Sequence, residues 1–141
     1  MKNSDLQTAK ANLAGHTICL CKNESIITDN SRGIAPMMKF IADGKDLNGF
    51  SVADLIVGKA AAGLFVKCGI IAVYAKVLSE AGKEFLEKYG VYYEYETLTS
   101  HIINRNGTDV CPMEKAVTNL DDPRKMYLAI TDKIAELKKH S

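Results

Sequence analysis

Cys111 stands directly before Pro112 and three residues before Glu114, in the run C-P-M-E-K-A-V. Proline there suits the first position of a helix, so the thiol is expected at a helix start, where its pKa falls and the thiolate becomes a nucleophile. Glu114 or Asp54 would then act as acid or base, with His101 a further candidate for the base. Read without chemistry, the same cysteine is a small buried hydrophobe.

Other residues have types suited to binding. Asn104-Arg105-Asn106-Gly107-Thr108 is a concentrated polar stretch in which Asn106-Gly107 forms a turn. Arg105 offers a planar fork for a carboxylate or phosphate. Ser79 and Glu80 follow the apolar run I-I-A-V-Y-A-K-V-L, and open sheets hold ligands beyond the carboxyl ends of such strands. Ser79 can simply cap the following helix, while the free N–H groups there can also meet an anion. Gly58-Lys59 lacks the G-x-x-x-x-G-K-[ST] pattern of a phosphate loop and is expected in mid-helix. Lys59 either snorkels to the surface or holds an anion.

The element expected to position these groups runs from Ser51 to Gly69. Ser51 and Asp54 have the spacing of a capping box, Gly69 suits a helix end, and the stretch between is apolar almost all round. It reads as a central buried helix. Before it come a short helix over Leu6 to Leu13, a hairpin of T-I-C-L-C and S-I-I-T joined by Lys22-Asn23-Glu24, and a helix from Pro36 to Gly44. After it come the strand over Ile70 to Leu78, a helix ended by Gly90, and the strand V-Y-Y-E-Y, parallel to the first. His101-Ile102-Ile103 reads as a short fifth strand. The last helix begins at Asp122-Pro123, with Met126, Ile130, Ile134 and Leu137 facing inward.

These elements give one three-layer α/β/α domain with a mixed sheet over residues 1–141, its core at about 16–117 and a C-terminal helix at about 122–138. The 47% apolar content supplies a core, and a net charge of +1 with scattered lysines argues against a nucleic-acid surface. No apolar run reaches the roughly 18 residues of a membrane span, and the first residues lack a signal peptide's apolar stretch, so a cytoplasmic protein is expected. The four cysteines include no C-x-x-C pair, and Cys19 and Cys21 alternate along one strand face as small hydrophobes.

The order helix, hairpin, helix, strand, helix, strand resembles the cytidine deaminase-like fold. More closely, R-G-I-A-P at 32–36, S-V-A-D-L-I-V-G-K-A-A-A at 51–62, I-I-N-R-N-G-T at 102–108 and C-P-M-E-K-A-V at 111–117 are similar to an uncharacterised family with that fold. The resemblance implies that the helix after the hairpin and the helix after the next strand turn their N-termini to the ligand. It also puts Arg32 and Gly33 beside the same crevice. A zinc deaminase needs a His or Cys with a nearby catalytic Glu at one helix start and P-C-x-x-C at the next. His16, His101 and His140 stand outside any such pattern. No metal or other cofactor is expected.

Three functions follow, ranked in this order. The first is a zinc-free relative of the deaminases that binds a small anionic or nucleotide-like ligand. Ser51, Asp54, Lys59, Ser79, Glu80, Asn104, Arg105, Arg32 and Gly33 would hold it. The second is a hydrolase or transferase with Cys111 as nucleophile. The third is a non-catalytic domain that associates with itself through a sheet edge or helix face, giving a homo-oligomer.

Overall fold

The computed structural model describes residues 2–104 and 107–139. Arg105, Asn106 and His140 lie outside the described residues. The N-terminal helix, α1 (Lys2–Ala11), puts Leu6 and Ala9 on one stripe, with Leu13 just beyond its end, and all three are buried. Strands β1 (Ile18–Lys22) and β2 (Ser25–Asp29) pair antiparallel across Asn23-Glu24, and Asn23 takes the positive φ of 56° that this tight turn needs. Helix α2 (Ala35–Ala42) carries Pro36 in its first turn and buries Met37 and Phe40.

The segment from Ser51 to Gly69 is not one helix. It is a strand, β3 (Ser51–Val57), followed at once by a helix, α3 (Lys59–Lys67), with Gly58 as the junction. Val52, Ile56 and Val57 favour a pleated conformation, and β3 is covered on both faces, so its side chains need no helical stripe. Ala60, Ala61 and Ala62 favour the helix that follows. Ser51 and Asp54 therefore form no capping box; both are strand residues, and both are buried. Ser51 Oγ has no hydrogen-bond partner among the described residues.

Strand β4 (Ala72–Ser79), helix α4 (Glu80–Lys88) and strand β5 (Tyr92–Thr99) follow, then α5 (Pro112–Val117) and α6 (Pro123–Lys139). The expected strand at His101 to Ile103 reduces to one isolated bridge, Ile103 with Val110. The fifth strand is β3 instead. The sheet has the order β2-β1-β3-β4-β5, with β1 antiparallel to both neighbours and β3, β4 and β5 parallel.

Helices flank this mixed sheet. On one face α1 covers Cys19, Cys21, Ala53, Ala72 and Tyr74, so the two strand cysteines do share a face. Residues of the other helices pack on the opposite face around Val52, Val73, Phe65 and Phe85. Alternation slips by one near the strand ends: Val52 and Val57, five residues apart, belong to the same core, as do Ala75 and Leu78. Helix α6 reaches α3 at Gly63, where an added Cβ would stand 2.3 Å from Met126 Cε. No described helix is long and apolar enough to cross a membrane.

Candidate functional site

Three parallel strands end side by side at Val57, Ser79 and Thr99. At this carboxyl edge the chain turns from β3 into α3 and from β4 into α4, so two helix starts lie together. Their closeness depends on glycine. A Cβ on Gly82 would lie 3.0 Å from the Gly58 carbonyl carbon, so the first turn of α4 sits directly on the β3–α3 junction. A cleft of about 610 Å³ opens there, with walls from α3, α4, the segment after β5, and α5.

Lys59 is the first residue of α3 and lines the cleft. Its side chain is only 13% exposed, and its Nζ donates to the Thr118 carbonyl at 3.0 Å. The expectation of a mid-helix lysine is thus corrected: Gly58-Lys59 occupies a strand-to-helix turn, the context of a phosphate loop, though without the loop's sequence pattern. Asp121 stands between two cleft lysines, 3.8 Å from Lys59 Nζ and 3.6 Å from Lys88 Nζ. Ser79 is buried at the start of α4, and its Oγ accepts the Gly82 N–H at 2.9 Å, the expected cap.

Glu114 closes the start of α3. Its two carboxylate oxygens accept the Lys59 and Ala60 N–H groups, each at 2.8 Å. Those amides have no partner within their own helix, so a carboxylate from a distant segment supplies what a local cap would. Burial pushes the Glu114 carboxyl above its ordinary range, against the pull of the two amides and the Lys59 charge. With both oxygens engaged, Glu114 acts here as a cap.

The structure therefore brings Lys59, Ser79, Glu114 and His101 to one cleft and adds Lys88 and Asp121. Other candidates sit elsewhere. Ser51 and Asp54 lie inside β3, and Asp54, buried in the sheet, has its carboxyl pushed up to about 8 by desolvation. Arg32 and Gly33 precede α2 and do not line the cleft. Glu80 is exposed on the first turn of α4, off the cleft wall. Asn104 closes its own turn, with Oδ1 accepting the Thr108 N–H at 3.0 Å, and is likewise off the wall. Cys111 precedes the six-residue α5, is half-buried, and is not a lining residue. Lys88 and Asp121 gave no local signal, because a distant turn and a helix end meet only through packing.

The starts of α2, α3 and α4 do not fit a zinc site. Gly58-Lys59 and Ser79-Glu80 carry no thiolate or imidazole, nor do Ile34 and Ala35 at α2. Among the described residues, no three His, Cys, Asp or Glu side chains converge to hold a metal ion.

A mixed, helix-flanked five-stranded sheet with its cleft at the parallel edge defines the class. Over residues 9–134 the chain matches the model of a domain of unknown function, DUF1893, and it belongs to that family. It is similar to the crystal structure of a DUF1893 family protein (TM1506) from Thermotoga maritima, with 26% identity and a TM-score of 0.79. That likeness covers 93% of this chain and 88% of the other. No curated protein matches.

Proposed function

We propose that this DUF1893 domain has a cytidine deaminase-like arrangement and binds a small anionic or nucleotide-like molecule in the cleft at its parallel edge. The sheet order β2-β1-β3-β4-β5, with β1 antiparallel to its neighbours, supports the fold assignment. One observation carries the binding reading. The starts of α3 and α4 meet at the cleft, and there Lys59 and Lys88 share a single carboxylate, Asp121. An entering anion would give both ammonium groups a further partner; Lys59 is largely desolvated, so its charge pairing is stronger than in water, while Lys88 and Asp121 stand more than half exposed. The Ser79 hydroxyl and the lysine ammonium groups suit an oxyanion, while the first two amides of α3 are held by Glu114.

A thermal-shift screen of phosphorylated metabolites and nucleotides tests this. A ligand at roughly 100 times its Kd stabilises the fold by about 2.7 kcal/mol. The wild type should gain that stability, and Lys88→Ala should lose most of it. A screen in which no member shifts the wild type, or in which Lys88→Ala responds equally, would overturn the reading. The Cys111 reading draws no support from the cleft.

A further inference from the structure

The segment that carries Glu114 packs against α6 and the start of α3 rather than against the sheet. Helix α5 has six residues, of which Val117 alone is fully buried, although Met113 also packs against the core. No described residue from 100 to 110, the stretch leading into it, is buried. Its bonds to α3 are polar and few: Lys59 and Ala60 N–H to Glu114, and Lys59 Nζ to the Thr118 carbonyl. All three lead to the first two residues of α3. By contrast β3 and β4 are buried along most of their length and paired on both sides. With one fully buried side chain, packing on α6, and polar ties to α3 and α4, this segment opens at lower cost than the doubly paired central strands.

We propose that α5 is a hinged wall of the cleft, pinned by Glu114, and that breaking the contact of Glu114 with Lys59 and Ala60 swings the wall away while the sheet stays folded. Opening widens the cleft beside Lys59 and frees two α3 amides. The purpose of such a wall, to admit and release a ligand, rests on the function proposed above; its existence does not.

Native-state hydrogen exchange on the full chain, without ligand, tests the hinge. In the wild type the amides of Lys59, Ala60 and α5 should exchange through a local opening, at least roughly tenfold faster than those of Val52 and Val73. Glu114→Ala should speed the first group a further tenfold or so and leave the β3 and β4 amides within about twofold. Glu114→Gln, which keeps a carbonyl acceptor, should fall between. Exchange of the Lys59 and Ala60 amides only together with the sheet would overturn the hinge, as would an equal acceleration everywhere in Glu114→Ala. Should Glu114→Ala fail to fold, the wild-type pattern alone decides. An empty ligand screen would remove the ligand reading and leave this result standing.

Discussion

The carboxylate of Glu114 occupies the space that a side chain on Gly58 would need: a Cβ built there would lie 2.4 Å from Glu114 Oε1. Gly58 itself is extended, with φ −106° and ψ −171°, so its backbone would accept any residue. The demand for glycine comes from the cap. Gly58→Ala should therefore displace Glu114 and leave the Lys59 and Ala60 amides unpaired, costing about 1–3 kcal/mol. Chemical denaturation measures it, and a loss within about 0.5 kcal/mol would show the cap to be dispensable.

Gly82 makes a second demand at the same junction. In an ordinary helix, replacing glycine by alanine gains up to about 1 kcal/mol. Here the new methyl would meet the Gly58 carbonyl carbon at 3.0 Å and its oxygen at 3.2 Å, and backbone atoms cannot turn aside. Gly82→Ala should instead destabilise by about 1–2 kcal/mol. A stabilised variant in the same denaturation experiment would mean that the two helix starts are not packed together.

Asp54 sets a pH dependence. Burial pushes its carboxyl up to about 8, and the Leu55 and Ile56 N–H groups offset only part of that shift. The folded state thus holds the proton more tightly than the unfolded chain, whose carboxyl titrates near 4. The associated stability is complete below the unfolded value and is lost as pH rises through the folded one. Glu114, also raised, contributes with the same sign. Unfolding free energy should fall by a few kcal/mol, in order of magnitude, between about pH 5 and pH 9. Asp54→Asn, which mimics the neutral acid, should flatten most of that slope; a slope unchanged by the substitution would contradict the assignment.

The cysteines divide by burial. Cys19 and Cys21 are fully buried beneath α1, and desolvation pushes both thiols up. Cys68 and Cys111 are half-buried. Thiol labelling of the native protein should modify Cys111 well before Cys19 or Cys21, which should react only as the fold opens. Fast labelling at Cys19 would show that α1 does not cover its sheet face.

Much of this fold was legible in local sequence. Asn23-Glu24 between two short β-branched runs gave the hairpin, Pro36 the α2 start, Ser79 the α4 cap, and Asp122-Pro123 the α6 start. The failure was at Val52 to Val57. A strand covered on both faces is apolar without alternation, and over seven residues that pattern equals a buried helix. The clue was Gly58, which divides a Val- and Ile-rich stretch from an Ala-rich one and would weaken a helix interior. Misplacing that junction put Ser51 and Asp54 at a helix start, when the start is Lys59. Glu114 was visible only as a neighbour of Cys111, because its contact with Lys59 spans 55 residues of chain.

The most direct measurement is a map of backbone amide chemical shifts during titration with a nucleoside monophosphate. If the cleft is the binding site, the perturbed amides will cluster at Lys59, Ala60, Ala81, Gly82, His101 and Glu114, and the hairpin will stay unmoved. Saturable shifts centred on β1 and β2, or none at millimolar ligand, would contradict the account.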